Sequence, residues 1–190
     1  MSEVYVEDRV FKGENYSENE FTKGEYENCT FFNCIFSGTN LSKIVFVECQ
    51  FDSCDLSMAN IKDTAFKDVR FRKCKLLGLK FRDCHTFLLT LDFEDCMLNY
   101  SSFYQLKIPD TRFKDCKLED VDFADTDLTR SVFVNCDLKG VLFDNTLLER
   151  SDLKTSYNFM IDPEMNYIRG AKFSINNIAG LLGKYEIEIE

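Results

Sequence analysis

The spacing of the cysteines limits what this chain can fold into. Six of the nine fall into two series with a spacing of 20 residues, separated by a step of 22: Cys34, Cys54, Cys74 and Cys96, Cys116, Cys136. An apolar residue also recurs at every fifth position from Phe31 to Phe81 and again from Phe93 to Leu153. A helix repeats about every 3.6 residues and a strand about every 2, so a period of five belongs to neither. Fixed-period repetition predicts a solenoid, in which each unit buries its apolar face only by stacking on its neighbours.

The 20-residue period groups the five-residue units in fours, so that four units form one square turn. Residues one turn apart should lie in internal columns, and one column is phenylalanine throughout: Phe11, Phe31, Phe51, Phe71, Phe93, Phe113 and Phe133. The two-residue slip near residues 82–92 restores all the columns at once, which predicts a small bulge or corner loop there. We therefore predict one solenoid domain of about eight turns over residues 1–173.

The repeat unit resembles that of a known family. The units that begin at Cys116, Val121, Thr126 and Cys136 read Cys-Lys-Leu-Glu-Asp, Val-Asp-Phe-Ala-Asp, Thr-Asp-Leu-Thr-Arg and Cys-Asp-Leu-Lys-Gly: a small residue, usually Asp, Leu or Phe, and two mostly polar residues. This pattern is similar to that of the pentapeptide-repeat proteins, closely over residues 20–155 and loosely at the ends. The resemblance implies an all-β fold, a right-handed quadrilateral parallel β-helix. It indicates little about function, because the repeat describes a core and a turn and not a site.

The nine cysteines are predicted to be reduced and buried, since the grid places each one inward, where a small side chain is needed. Side chains in one column point in parallel from turns about 4.8 Å apart. That arrangement gives neither the crossed geometry of a disulfide nor the tetrahedral convergence of thiolates that zinc requires. We interpret the thiols as small hydrophobic groups and expect no metal and no cofactor.

Two segments depart from the regular repeat. Residues 1–30 keep the apolar grid but carry Arg9, Glu14 and Asn19 where a small residue belongs, which favours an irregular first turn or cap. The only histidine, His85, lies in the slip. No nucleophile pattern, second histidine or carboxylate pair accompanies it, so we interpret it as a polar corner residue and predict that the protein is not an enzyme.

The C-terminal segment, residues 174–190, changes character. Ser174 can cap a helix over residues 175–182 that stops at Gly183, and the alternation of apolar and acidic residues over 185–190 predicts a short strand. This element is expected to act as a cap or to mediate dimerisation. Members of the resembling family often pair through this end, so we predict a homodimer, with a capped monomer as the alternative. The candidate dimer interface is a set of apolar residues: Ile178, Leu181, Leu182, Tyr185 and Ile187.

The net charge of −10 is distributed unevenly along the chain. Residues 1–60 carry −7, residues 61–90 carry +5 and residues 91–190 carry −8. The basic stretch includes Arg70, Arg72, Lys73 and Lys75, and the turns on either side of it offer acids. Outward side chains on adjacent turns are neighbours, so cross-turn pairs of opposite charge explain most of this pattern.

The resemblance supplies the one specific functional hypothesis. Its quinolone-resistance group looks like B-form DNA in width and charge and binds DNA gyrase or topoisomerase IV in place of DNA. This implies a non-enzymatic, protein-binding function in which acidic outer walls meet a basic groove. The chain departs from that group by lacking a long loop and by carrying the basic stretch. The candidate partner surface is a set of carboxylates: Asp115, Glu119, Asp120, Asp122, Asp125 and Asp127.

The alternative hypothesis is a structural scaffold or interaction module with no DNA-mimic role. Direct binding of nucleic acid is not expected for so acidic a chain. No apolar run approaches the ~18 residues of a membrane span, and the acidic start lacks the basic and apolar regions of a signal peptide. We therefore predict a cytoplasmic protein that does not contact membranes.

Overall fold

Parallel strands stacked turn upon turn form the walls of the molecule. This computed structural model describes residues 4–188. One sheet has four strands, β1 (Val4–Glu7), β3 (Gly24–Glu27), β5 (Val45–Val47) and β7 (Ala65–Lys67). The other has seven, β2 (Val10–Lys12), β4 (Thr30–Phe32), β6 (Gln50–Asp52), β8 (Val69–Arg72), β9 (Leu91–Glu94), β10 (Arg112–Lys114) and β11 (Val132–Val134). All pairings are parallel, which confirms the predicted all-β solenoid.

The chain visits four walls in each turn, and we name them A to D in that order. Wall A contains the four-stranded sheet and wall B the seven-stranded sheet. Isolated backbone bridges continue wall A and form walls C and D, for example Lys107–Asp127 on wall A, Lys117–Asp137 on wall C and Asp122–Leu142 on wall D. The bridges of Asp152 and Lys172 extend wall B beyond its seven strands. Four walls with one five-residue unit each are the quadrilateral cross-section that the 20-residue period predicts.

Stacked aromatic rings fill the inside of this coil. Neighbouring rings in the column from Phe11 to Phe133 have centroids 4.7–5.5 Å apart and planes within 18° of parallel. A second column stacks Phe81, Phe103 and Phe123 with centroids 4.6 and 5.0 Å apart. Rings of adjacent columns meet edge to face, the other favourable aromatic geometry. The predicted phenylalanine column is confirmed.

The two extra residues near the middle of the chain leave the coil at a corner, as predicted. A 3₁₀ helix over Phe81–Asp83 precedes the slip, and His85 still bridges to Ala65 one turn away. Residues 86–90 then form a loop before β9 restores the register.

The first turn is more regular than the predicted cap. Strands β1 and β2 pair in register with β3 and β4 and so belong fully to both sheets. The large Arg9, at a position that is inward in later turns, is exposed and lies with its guanidinium 5.8 Å from the ring centroid of Phe11. A large residue is tolerated there because the described chain places no further turn on that side.

The C-terminal prediction of a helix over 175–182 and a strand over 185–190 is wrong. The structure has two 3₁₀ helices, Ile178–Leu181 and Gly183–Tyr185, and no strand from residue 174 to 188; residues 189–190 lie outside the described chain. Two adjacent asparagines and Gly180 are poor helix formers, and the Asn177 amide bonds to the last turns instead of capping a helix. Among residues 4–188, no helix is long and apolar enough to cross a membrane.

Candidate interaction surfaces

Charges on wall B alternate from turn to turn. Asp52, Arg72, Glu94 and Lys114 occupy equivalent positions on successive turns. Arg72 is paired with Asp52, and Lys114 with Glu94. Burial opposes ionisation of Asp52, but hydrogen bonds from Arg72 and Ser53 outweigh it and lower the pKa of this carboxyl. The hydrogen bond from Lys114 likewise lowers the pKa of Glu94.

A second row on the same wall has the same alternation. Arg70, Asp92 and Arg112 are in register on three successive turns. Burial raises the pKa of Asp92, although both arginines act in the opposite direction. The basic stretch is therefore interleaved with carboxylates, and the predicted cross-turn pairing is confirmed for Arg72 and Lys114.

The six carboxylates predicted to form one partner surface do not share a face. They belong to a single turn of the coil and follow it around three walls. Glu119 lies on wall C, Asp122 on wall D and Asp127 on wall A, while Asp115, Asp120 and Asp125 lie at the corners between walls. A flat basic surface therefore cannot contact all six together.

Most of these carboxylates also have a local structural role. Asp122 Oδ1 accepts the N–H of Ala124 at 3.0 Å, and Asp127 Oδ1 accepts the N–H of Thr129 at 2.9 Å. Such bonds fix the turn that leads into the next wall. Asp115, Asp120 and Asp125 adopt the left-handed backbone conformation with φ of 54° each, which Asp and Asn tolerate better than most residues.

The remaining member, Glu119, is also engaged. Its carboxylate accepts hydrogen bonds from Lys139 at 2.9 Å and from the side-chain amide of Asn99 at 3.2 Å. Asp115 and Asp125 accept hydrogen bonds from asparagines one turn further along, at 2.8 and 2.6 Å. This turn is acidic, but its acids hold the coil together.

A different set of carboxylates does share one face. We call it the acidic stripe, and it consists of Glu7, Asp8, Glu27, Glu48 and Asp68. Glu7 and Glu27 are register partners on wall A, and the three others lie at the corner where wall A turns into wall B, with φ of 55°, 52° and 52°. All are exposed except Glu27, which is half-buried. Among residues 4–188, no basic group lies within 4.0 Å of these carboxylates.

Neutral donors hold the stripe in place without neutralising it. The Tyr5 hydroxyl donates to Glu27 Oε2 at 2.6 Å, and the Asn28 amide donates to Asp8 Oδ1 at 2.6 Å. The hydrogen bond to Glu27 raises the pKa of the Tyr5 phenol, so that this group stays protonated and donating. Basic residues flank both ends in sequence, since Arg9 follows Asp8, Lys67 precedes Asp68 and Arg70 comes two residues after it, but none of them forms an ion pair with the stripe within residues 4–188.

Sequence reasoning missed this stripe, although a signal was present. The strongest sign of it was the charge of −7 on residues 1–60. Glu7 and Glu27, like Glu48 and Asp68, are 20 residues apart, which is one turn. Searching for acids at the repeat period, and not for acids close in sequence, would have found the stripe.

The C-terminal segment closes the last turns through one asparagine. The Asn177 side-chain amide donates to the carbonyls of Leu153, Lys154 and Ser156 at 3.1, 3.4 and 2.8 Å. Its Oδ1 accepts the Ser174 N–H at 2.9 Å. One turn earlier, the equivalent carbonyls of Phe133 and Cys136 accept from Ser156 and Tyr157 of the next turn. Asn177 therefore takes the place of a further turn at Leu153 and Ser156 and caps this end of the coil.

The predicted dimer residues differ in how exposed this cap leaves them. Leu181 packs against the core, and Leu181 and Leu182 are both half-buried. Ile178, Tyr185 and Ile187 are exposed, as is Ile175, whose exposed fraction is 83%.

The slip and the thiols show no catalytic arrangement. His85 is exposed, and its Nδ1 accepts the N–H of Phe87 at 3.3 Å, which closes the loop locally. All nine cysteines are buried and reduced, as predicted. Burial raises the pKa of the Cys49 and Cys84 thiols to about 12. No group of His, Cys, Asp or Glu side chains in the described part of the chain is placed to hold a metal ion.

Comparison with known proteins places the repeats in a family. The family model described as "Pentapeptide repeat region" matches residues 25–103 and 85–153. A trypsin-treated variant of QnrB1, a plasmid-mediated fluoroquinolone resistance protein, has a similar structure, with a TM-score of 0.63 and 21% identity over 98% of this chain and 100% of that one. Full-length QnrB1 gives a TM-score of 0.51 and 23% identity over 97% of this chain and 100% of that one. A comparison with curated proteins finds no match.

Proposed function

The chain belongs to the pentapeptide-repeat family, and from that premise we propose that it is a non-enzymatic, cytoplasmic binding protein whose acidic stripe docks on a basic surface of another protein. The stripe carries the proposal because its five carboxylates are aligned and free of ion pairs within the described chain. Turns repeat about every 4.8 Å, so the stripe from Asp8 to Asp68 is about 14 Å long. A partner groove that binds a nucleic acid backbone has the complementary charge and could accept it.

DNA gyrase or topoisomerase IV is the partner we propose. Support comes from the QnrB1-like fold together with the acidic stripe, since the quinolone-resistance group is the part of the family known to bind these enzymes. The alternating charges of wall B argue against that wall as the mimic of a uniformly negative duplex. The stripe, on wall A and its corner, avoids the alternation. On this proposal the protein competes with DNA and does not bind DNA itself.

The test compares two triple variants in gyrase supercoiling assays, with and without a quinolone. The stripe variant carries Glu7→Gln, Glu48→Gln and Asp68→Asn. The control variant carries Glu119→Gln, Asp120→Asn and Asp125→Asn, which removes three charges while the amides keep the turn geometry. We expect the unmodified protein to inhibit supercoiling or protect the enzyme, the stripe variant to lose about tenfold in potency, as for the loss of one or two favourable charge pairs, and the control to lose little.

Two results would count against this proposal. No inhibition and no protection by the unmodified protein at micromolar concentration would remove these topoisomerases as partners. Equal loss in the two triple variants would show that total charge matters and the stripe does not. The rival function, a scaffold without an electrostatic partner, predicts that neither variant changes binding of the partner and that added salt has no effect.

We also propose that two copies pair through the C-terminal end, over the exposed side of the cap. Ile175 and Ile178 lie outside the core and can be changed without disturbing Leu181. Light scattering should give a dimer mass for the unmodified protein and a monomer mass for an Ile175→Ser, Ile178→Ser variant. A monomer mass for the unmodified protein at high concentration would leave the segment as a cap only.

A further inference from the structure

The two ends of the coil are finished differently. At the C-terminal end, Asn177 bonds to three carbonyls of the preceding turns. At the N-terminal end, β1 and β2 are the outermost strands of their sheets, and within residues 4–188 no strand pairs with their outer edges. An unpaired strand edge is a template for another extended segment.

The repeat identifies which backbone groups of β1 face outward. On wall A, the Ala65 N–H donates to Ile44 in the preceding turn at 2.9 Å, and the Glu27 carbonyl accepts from Asp8 in the preceding turn at 3.1 Å. The equivalent groups of the first turn, counted back in steps of 20 residues, are the Tyr5 N–H and the Glu7 carbonyl. These two groups therefore point away from the rest of the coil and form the donor and acceptor that an added strand requires.

Side chains around this edge define what could add to it. Val6 faces the core and is half-buried, whereas Tyr5 faces out with an exposed fraction of 55%. Residues 4–30 contain seven acids and three bases, and Glu7 and Asp8 lie beside the edge. Two copies meeting edge to edge would bring these acids together, which disfavours self-association. A strand with apolar residues facing Val6 and basic residues facing Glu7 would be complementary.

We propose that β1 accepts an extended, basic segment of a partner protein as an additional strand of the wall A sheet. The added strand bonds to the Tyr5 N–H and the Glu7 carbonyl, covers Val6 with an apolar side chain, and places lysine or arginine against Glu7. Main-chain bonds supply affinity and the alternating side chains supply selectivity, as in other cases of strand addition. This site shares Glu7 with the acidic stripe but differs from it, because it also requires backbone groups that the rest of the stripe does not offer.

The experiment uses fluorescence anisotropy with two labelled peptides of identical charge. One is a short peptide of alternating lysine and valine, and the other has the same sequence with alternate backbone nitrogens methylated. We expect the first to bind about tenfold more tightly, as for the loss of one or two hydrogen bonds. Equal affinity would mean that only charge attracts the peptide, and would overturn the proposal.

A pair of substitutions locates the site. Tyr5→Pro removes the outward N–H, which an edge strand tolerates, while Tyr5→Val removes the same hydroxyl and keeps the N–H. We expect only the proline variant to bind the first peptide as weakly as the methylated one. Equal loss in both variants would assign binding to the side chain and would refute strand addition. If the proline variant is less stable than the valine variant, the comparison of the two peptides on the unmodified protein decides alone.

Two further measurements separate this site from other occupants and from the stripe. Sedimentation should give the same oligomeric state for the unmodified protein and for Tyr5→Pro. An oligomer that is lost in Tyr5→Pro would mean that a second copy of the chain occupies the edge, and would overturn the proposal. A Glu48→Gln, Asp68→Asn variant should keep the preference for the unmethylated peptide. Its loss would place the peptide on the stripe. Failure of the gyrase assay leaves these peptide results unaffected.

Discussion

Phe31 and Phe32 are adjacent residues of one type, and they should differ strongly in what their loss costs. Phe31 faces inward with none of its surface exposed, and its ring lies between those of Phe11 and Phe51 with centroids 4.9 and 4.7 Å away. It also meets the rings of Phe36 and Phe46 edge to face at 5.6 and 5.8 Å. The neighbouring Phe32 faces outward, and 39% of its surface is exposed.

The expected magnitudes follow from these contacts. Truncating a buried phenylalanine to alanine costs about 3–5 kcal/mol of unfolding free energy, and two stacked partners place Phe31→Ala toward the upper part of that range. Phe32→Ala removes a side chain that is 39% exposed to solvent, so we expect about 1 kcal/mol or less. Because each turn contacts only its neighbours, Phe31→Ala should also weaken the first turn.

Urea unfolding followed by far-ultraviolet circular dichroism measures both variants against the unmodified protein. Amide hydrogen exchange of β2 reports separately on the first turn. A difference of less than about 1 kcal/mol between the two alanine variants would refute the reasoning. An unchanged rate of amide hydrogen exchange in β2 of the Phe31→Ala variant would also refute it.

Four shorter predictions concern other parts of the chain. A Cβ at Gly24 would overlap the carbonyl oxygen of Val4, so Gly24→Ala should release the first strand and expose it to proteolysis, and unchanged resistance would contradict this. Because all nine thiols are buried, they should react slowly at pH 8 in the native protein and quickly in urea; fast native labelling would be the opposite result. Asn177→Ala should lower the unfolding free energy by about 1–3 kcal/mol in thermal unfolding, and no change would mean that the cap is redundant. The lowered pKa of Asp52 implies a stabilisation that is present above its unfolded pKa of about 3.9 and lost as the pH falls through the folded pKa. Asp52→Asn should therefore be less stable than the unmodified protein at pH 7, and the gap should narrow as the pH falls below about 3.9; a gap of constant size would contradict this.

The core could be predicted because its repeat leaves few alternatives. When every fifth residue is apolar and residues 20 apart are of the same type, only a four-sided coil buries all the apolar residues. The burial of the cysteines could be predicted for the same reason, since each lies two positions before an apolar residue of the five-residue repeat, such as Phe36 or Phe51. The slip was also predictable, because Phe71 and Phe93 remain stacked only if two residues leave the path.

The surfaces were harder to predict, because neighbours in sequence are not neighbours in space. Asp122 and Asp127 are five residues apart and lie on different walls, whereas Glu7 and Glu27 are 20 apart and lie side by side. The pattern of polar residues also has three causes that the sequence alone does not separate. An aspartate at a corner can be there for its backbone conformation, for its hydrogen bond or for its charge.

The tail was mispredicted because a short apolar pattern does not decide between a helix and a looser fold. What decided it was a long-range contact of Asn177, which finds acceptors more than 20 residues earlier in the chain. Side chains of this type often bond to backbone and compete with regular structure. The prediction therefore located the closing element but assigned it the wrong conformation.

The loop at residues 86–90 has a consequence for how chains of this design can change length. It adds two residues between Ala65–His85 and Val69–Leu91, the last pair before it and the first pair after it, and every later turn resumes its spacing. A one-residue insertion within a wall would instead move inward side chains to the outer face and outward side chains into the core, as a one-residue register shift does in any sheet. Corners are thus the places where residues can be gained or lost singly, and elsewhere the natural unit of gain or loss is a complete turn. Duplication or deletion of such a unit would lengthen or shorten the coil while leaving both of its ends as they are.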